Sequence, residues 1–352
     1  MDIKEERRPE LQTRPLPRLA PGHAADSFSG LETLDLSVAE PEPTAHFSIT
    51  RTDGLTFQRK RKVLHFSGAW LLDDPDDRLQ FNLQLPQQFG LALILNLCRT
   101  RAAEQSDFPF IINVNGVNGH EWPVDLDPHN LRFQKMSWYL PHYLLRRGSN
   151  LITVRLVPGA GTEVLLRSAA IMRFDVQRQQ QSNWCWAAVT TSLLNFFNEE
   201  NSLAQCQVVQ QCLSLLSDFD SAATDCVQHS RSKACNRTFK LPDALDEMDL
   251  LFARCNYALT LDEVRQQIHA GVPVGVRIGW RGGGGHFVLI TAVFDEPEGE
   301  VQSWLRVADP LDQAASYITW QTLRDRYKGS GRWTHSYIFQ KERERRDARR
   351  KK

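Results

Sequence analysis

One cysteine in this sequence stands where a polar loop gives way to a helix, in the run Gln179-Gln180-Gln181-Ser182-Asn183-Trp184-Cys185-Trp186-Ala187-Ala188. A sulfur at a helix start meets unpaired backbone N–H groups and the positive end of the helix dipole. Both favour thiolate over thiol, and the thiolate is the nucleophile. Gln179, six residues upstream, carries an amide that can donate to a developing oxyanion beside the backbone N–H of Cys185. A lone cysteine is more often a buried, inert thiol, so catalysis at Cys185 requires a base. His286 supplies one: it opens an apolar strand after four glycines at 282–285, where no side chain blocks approach. Asp309, in Val307-Ala308-Asp309-Pro310, ends a further short strand. A carboxylate there can fix the imidazole tautomer and stabilise imidazolium. Read alone, Asp before Pro is a turn signal.

Other chemistries fit less well. The glycines at 282–285 lack the Gly-Lys-Ser/Thr that a phosphate-cradling loop requires. Cys206, Cys212, Cys226 and Cys235 crowd one segment without a Cys-x2-Cys pair, so no zinc site is expected there. No metal and no organic cofactor is expected at the Cys185 site either. His335 is a second histidine in a late strand and reads as packing. Trp184 and Trp186, which flank Cys185, and Gly284 and Gly285, which precede His286, are candidates for lining a substrate cleft. Trp280 and Trp333 are further aromatic candidates, although aromatic residues in this number are more often core.

Several elements must position these residues. Residues 186–197 pattern as a helix, with small residues early and Leu193, Leu194, Phe196 and Phe197 late. Thr260 and Glu263 form a capping box for a helix that should stop near Gly271, with Pro273 beyond. Strands follow at 274–280, 286–294, 305–308 and 336–339. Helices first and strands later indicate an α+β unit over residues 176–340. Ahead of it, residues 45–175 read as β: 110–115 ends at Gly116, 150–157 ends at Pro158, and 164–174 is β-like. Short strands with Gly, Asn and Pro punctuation suggest an antiparallel β-sandwich. Residues 1–44 hold six prolines among many charges and read as a flexible leader, and residues 341–352 as a basic tail. Arg59-Lys60-Arg61-Lys62 reads as a solvated basic turn.

The chain has 352 residues, enough for two or three domains that each bury a core. Lys plus Arg and Asp plus Glu both total 42, which argues against a dedicated nucleic-acid binder. The nearest approach to a membrane span, 79–98, is interrupted by Gln, Asn and Pro and begins with period-two alternation, so it reads as strand. Residues 1–10 are charged throughout and no apolar stretch follows, so no cleavable export signal is expected. A cytoplasmic location, or export by a signal-independent route, follows as the expectation. Seven cysteines leave at least one unpaired.

Together, Cys185, His286, Asp309 and Gln179 resemble the constellation of the papain-like cysteine peptidases. The order Cys, His, Asp and the upstream glutamine match that family. The resemblance is stronger to a bacterial subgroup that includes plant-pathogen effector proteases. It rests on Ser-Asn-Trp-Cys-Trp-Ala-Ala, on Gly-Val-Arg-Ile-Gly-Trp followed by glycines and His286, on Asp309-Pro310 and on Trp333-Thr334-His335. It also touches Gln205-Cys206, Cys226, Ala234-Cys235-Asn236 and Leu241-Pro242-Asp243-Ala244-Leu245, and spans about 176–340. It implies Cys185 as nucleophile, His286 as general base and acid, Asp309 as orienter and Gln179 as oxyanion donor, acting on a protein or peptide substrate. It also implies a bacterial effector or regulatory role. Relatives often carry adjacent cysteines near 226, whereas Val227 follows Cys226 here. Cys206, Cys212, Cys226 and Cys235 therefore remain candidates for disulfides or buried thiols.

The amino-terminal half is similar to galactose-binding-like jelly rolls, in Val114-Asn115-Gly116, Trp122 and the run from Tyr143 through Gly148-Ser149-Asn150 to Val154. That likeness allows a glycan ligand, a protein ligand or a scaffolding role. The expected molecule is thus multidomain: a jelly-roll-like antiparallel β-sandwich ahead of an α+β papain-like unit that hydrolyses peptide bonds. Glutamine deamidation or transamidation at the same site, or a binding protein with a degenerate catalytic unit, are the alternatives.

Overall fold

The computed structural model describes residues 30–53, 56–58, 69–72, 77–99, 107–116, 121–125, 132–156, 164–197, 202–295, 303–312 and 315–339. The basic run 59–62, the tail 341–352 and leader residues 1–29 lie outside them. The amino-terminal half holds β1 (Gly30–Asp35), β2 (Phe47–Asp53), β3 (Thr56–Gln58), β4 (Ala69–Leu72), β5 (Arg78–Leu85) and β6 (Leu91–Arg99). It continues with β7 (Asp107–Val114), β8 (Glu121–Asp125), β9 (Gln134–Leu140), β10 (Gly148–Leu156) and β11 (Val164–Arg173). They form two sheets, one ordered β3-β4-β11-β6-β9 with β1 also on β11, the other β2-β5-β10-β7-β8. The pairings are antiparallel, as the strand punctuation indicates.

Alternation builds the sandwich. On β5, Leu79, Phe81, Leu83 and Leu85 point inward, and they share a cluster with Leu91, Leu93, Leu95 and Leu97 of β6 and Ile152 and Val154 of β10. The intervening residues of β5 stay polar because that sheet has one solvated face. Asn150 is a polar exception in the interior, fully buried at the start of β10. Its side-chain nitrogen donates to the carbonyls of Arg146 and Gly148, and its oxygen accepts from Asn115 and from the backbone N–H of Arg146. The side chain therefore loses nothing by burial.

Part of the segment read as leader is a strand. Gly30–Asp35 pairs along β11, and Leu34 and Leu36 are buried in the sandwich. Glu32 accepts hydrogen bonds from the Thr44 hydroxyl and the His46 backbone N–H, which ties residues 44–46 to the strand. Proline and charge content masked this short half-polar strand.

The carboxy-terminal half holds α1 (Cys185–Phe197), α2 (Gln205–Leu213), α3 (Leu241–Glu247), β12 (Leu251–Cys255), α4 (Leu261–His269) and β13 (Val274–Trp280). Then follow β14 (Gly285–Asp295), β15 (Ser303–Ala308), β16 (Ser316–Thr319), α5 (Trp320–Arg326) and β17 (Gly331–Phe339). Its sheet is antiparallel, ordered β12-β17-β13-β14-β15-β16. The capping box starts α4: the Thr260 hydroxyl accepts from the Glu263 N–H, and the Glu263 carboxylate accepts from the Thr260 N–H at 2.7 Å. Gly271, at φ +78°, ends it.

The two halves share a core. On β6 and β11 the second apolar row, Ala92, Ile94, Ala170 and Met172, turns away from the sandwich and joins the cluster of α1 and β14. This explains why β6 is apolar on both faces: both are covered. Polar contacts flank the seam. Ser137 bonds His269 through its backbone N–H and its hydroxyl, at 2.9 and 2.7 Å. Tyr139 and Tyr317 hydroxyls meet at 2.6 Å. Arg306 on β15 donates to the Phe174 carbonyl and to Asp175.

A shared apolar seam makes the halves one cooperative unit. Thermal unfolding followed by circular dichroism and calorimetry should give one transition. Ile94→Ala, which empties the seam, should destabilise the whole molecule by about 2–4 kcal/mol. Two resolved transitions, or loss confined to one half, would contradict this.

Candidate active site

Cys185 is the first residue of α1. The Trp184 carbonyl accepts the Ala188 N–H at 2.8 Å, so Trp184 caps the helix and the N–H groups of Cys185, Trp186 and Ala187 have no partner within it. The segment before the helix is braced from two sides. Gln205, fully buried on α2, accepts the Gln180 N–H and donates to the Arg178 carbonyl. On the other side runs 235–237: the Asn183 N–H and side chain bond Asn236, the Trp184 indole donates to the Cys235 carbonyl, and the Trp186 indole donates to the Arg237 carbonyl. A disulfide between Cys226 and Cys235 closes this bracing loop.

These contacts correct one expectation and decide between two alternatives left open for the cysteines. Trp184 and Trp186 do not line a cleft: they are 0% and 1% exposed, and their indoles face inward as braces. Of the four crowded cysteines only Cys226 and Cys235 are bonded; Cys206 and Cys212 are free thiols. Six residues apart on one helix, they lie about 9 Å apart along its axis, too far for a disulfide. Cys212 is packed into the core, and burial pushes its thiol well above the ordinary range.

His286 is the second residue of β14 and is 5% exposed. Its Nε2 lies 2.6 Å from Asp309 Oδ1. With Nε2 committed to Asp309, Cys185 is the other group close enough to act on the imidazole, and it helps to raise it. The Trp280 ring stacks near the imidazole, with centroids 6.4 Å apart and planes 22° from parallel. Gly283 and Gly284 have φ of +93° and +80°, and a Cβ on either would meet nothing within 4 Å, so the approach to His286 is open at Gly284. Gly285 is exposed on its other flank, but a Cβ there would sit 2.9 Å from the Arg277 guanidinium. The structure thus brings Cys185, His286 and Asp309 together from a helix start, a strand start and a strand end. His335 stays apart on β17, paired in register with Arg277 and bonded to Thr334.

The Asp309 side chain is 1% exposed, and each oxygen has two donors. Oδ1 takes His286 and the Leu311 N–H, and Oδ2 takes the Tyr327 hydroxyl and the Lys328 ammonium, each at 2.8 Å. Sequence reasoning missed Tyr327 and Lys328, because a Tyr-Lys pair before Gly-Ser-Gly carries no motif. Burial alone would raise the Asp309 carboxyl, but the bonds from His286, Lys328 and Leu311 hold it well below the usual range. Burial alone would likewise lower His286, yet its hydrogen bond to Asp309, with the nearby Cys185 and the Asp309 charge, raises it to about 9. At neutral pH the pair is an ionised carboxylate and an imidazolium.

Gln179 lies beside this cluster: its N–H donates to the Pro310 carbonyl at 2.8 Å, tying its loop to the Asp309 turn. Its side-chain nitrogen donates to the Gln181 and Ser182 carbonyls, both at 2.9 Å, while its Oε1 is buried without a partner. The amide is therefore engaged within its own loop. Among the described residues no group of three His, Cys, Asp or Glu side chains could hold a metal ion, and no helix is long and apolar enough to cross a membrane.

Residues 171–335 match the Peptidase_C39 like family, which supports a peptidase domain in the half that holds Cys185. No curated protein matches the sequence. Among solved structures, the chain is similar to a family 35 carbohydrate binding module from Clostridium thermocellum, at 14% identity and TM-score 0.29 over 36% of this chain and 98% of that one. It is also similar to the CBM36-1 domain of a multidomain xylanase from the hindgut metagenome of Trinervitermes trinervoides, at 10% identity and TM-score 0.30 over 42% of this chain and 100% of that one.

The pair's ionisation gives stability a pH dependence. His286 is raised from an ordinary 6.5 to about 9, so its contribution is complete below pH 6.5 and lost as pH rises through 9. Asp309 is lowered from 3.8, so its contribution is present above pH 3.8 and lost as pH falls through its depressed value. Urea unfolding of wild type and Asp309→Asn should therefore differ most between pH 4 and 6.5 and converge partly above pH 9. A difference independent of pH would contradict the pairing.

Proposed function

We propose that this chain is a papain-like cysteine peptidase, its catalytic unit beginning near residue 176 and its sandwich packed against the back of that unit. One observation carries the proposal: a buried His286 held by a hydrogen bond to a saturated Asp309 and close enough to Cys185, the first residue of a helix, for the thiol to act on it. Nothing in a binding module requires a buried imidazolium between a thiol and a carboxylate.

The reaction follows from the charges. Cys185 attacks a peptide carbonyl as thiolate, forming the S–C bond and placing negative charge on the carbonyl oxygen. The Cys185 N–H and the Gln179 amide stabilise that oxyanion. For this, one Gln179 N–H leaves the Gln181 or Ser182 carbonyl, at a cost reduced because its loop is already fixed by Gln205 and Pro310. His286 gives its Nδ1 proton to the departing amine as the C–N bond breaks. It then takes a proton from water, whose oxygen attacks the thioester and releases the carboxylate product and the Cys185 thiolate. Asp309 stays ionised throughout and holds the ring by Nε2. Gly284, with open space over it, gives substrate its approach to the imidazole.

Incubating wild type and Cys185→Ala with a mixed proteome under reducing conditions, and mapping new amino termini by mass spectrometry, tests this. Cleavages should appear with wild type and vanish with Cys185→Ala. On a cleaved peptide, Gln179→Ala should lower kcat about 10²–10³-fold, as loss of one oxyanion donor does. Selective thiol labelling of Cys185 without any cleavage would favour amide modification instead, and neither labelling nor cleavage would overturn the enzyme assignment.

A further inference from the structure

We propose that Tyr327 and Lys328 are positioning residues, and that the turn they occupy sets how tightly His286 keeps its proton and hence the alkaline limit of the reaction. The inference rests on the assignment of Cys185, His286 and Asp309 as the reacting group. It goes further in giving the fourth side of that cluster a chemical task.

A carboxylate offers about four lone-pair sites. In Asp309 all are used, and none by water: Oδ1 by His286 Nε2 at 2.6 Å and by the Leu311 N–H, Oδ2 by the Tyr327 hydroxyl and the Lys328 ammonium. Two of the four donors thus come from one turn, far in sequence from the rest. That turn is also held in place by contacts other than those to Asp309. Gly331 N–H bonds the Tyr327 carbonyl at 2.8 Å, and a Cβ on Gly331 would strike Ile278 at 2.5 Å and Trp280 at 2.7 Å, so the turn lies flush on β13. Lys328 has φ +44°, a left-handed conformation unfavourable for a long side chain. Its ammonium spans Asp309 and Asp312, at 2.8 and 3.0 Å. A surface lysine serving only solubility has no need of that conformation.

The charge balance gives the direction. Asp309 holds the imidazole proton by its negative charge. Each donor on Oδ2 draws part of that charge away from Oδ1, and the Lys328 cation offsets it outright. The titratable and charged groups around His286 are Cys185 from α1, Asp309 after β15, Tyr327 and Lys328 after α5, and Asp312 behind Lys328. Arg277 belongs to the neighbouring register pair with Phe287, on the other face of the sheet from the Ile278–His286 pair. Removing a donor from Oδ2 therefore strengthens the hold of Asp309 on the proton. His286 stays charged to higher pH, and it becomes a weaker acid toward the departing amine.

The test is the His286 ring titration, followed by NMR in wild type, Lys328→Met, Lys328→Arg and Tyr327→Phe, alongside the pH dependence of peptide cleavage. The midpoint should move up by about 0.5–1 unit in Lys328→Met, less in Tyr327→Phe, and stay near wild type in Lys328→Arg, with the alkaline limb of kcat/KM moving in step. Tyr327→Phe, which deletes one oxygen, keeps the test open if Lys328→Met folds poorly. An unmoved or lowered midpoint in both variants would overturn the proposal and confine the turn to a structural role. The NMR readout needs no cleavage, so a failed peptidase assignment would show separately, as an absence of cleavage by wild type.

Discussion

The structure turns on one buried hydrogen bond, between His286 Nε2 and Asp309 Oδ1 at 2.6 Å. A carboxylate 1% exposed is costly to ionise unless its lone pairs are met. Here they are met by an imidazole, a backbone N–H, a phenol and an ammonium, so the charge is stable without water. That fixed charge in turn holds the imidazole in one orientation and keeps it protonated beside Cys185. Remove the carboxylate and the cysteine has a neutral, freely turning neighbour.

Much of the remaining fold keeps this bond in place. β14 and β15 carry His286 and Asp309 as antiparallel neighbours, with Leu289 opposite Ala308. Arg306, three residues before Asp309, anchors β15 to Phe174 and Asp175 at the end of the sandwich. Burial would lower the Arg306 guanidinium, but Asp175 and its surroundings keep it charged. On the opposite side, the loop closed by Cys226 and Cys235 braces Asn183, Trp184 and Trp186, which place Cys185 at the helix start. The sandwich is thus part of the support of the carboxy-terminal half, joined to it by an apolar seam on β6 and β11.

The candidate site residues were legible in the sequence because their signals are local: a cysteine at a polar-to-helical transition, a histidine after glycines, an aspartate before proline. The Thr260–Glu263 cap and the Gly271 stop were legible for the same reason. What escaped depends on long-range pairing. Gly30–Asp35 has too little apolar character to stand out as a strand until β11 is beside it. The tryptophans next to Cys185 suggested a cleft, yet their indole N–H groups found carbonyls some fifty residues on and turned inward. Tyr327 and Lys328 act on Asp309 only because the turn after α5 folds against β13. Gln179 lies beside the Asp309 turn, but the engagement of its amide with Gln181 and Ser182 is a matter of loop conformation that spacing does not encode.

The most direct test is the reaction of the reduced protein with a peptidyl chloromethyl ketone, read by intact mass and peptide mapping in wild type and His286→Gln. The account predicts a single adduct per chain in wild type, on Cys185, with Cys98, Cys206, Cys212, Cys226, Cys235 and Cys255 unmodified, and a rate lowered at least a hundredfold in His286→Gln. An adduct spread over several thiols, or one on Cys185 that forms equally fast without His286, would contradict it.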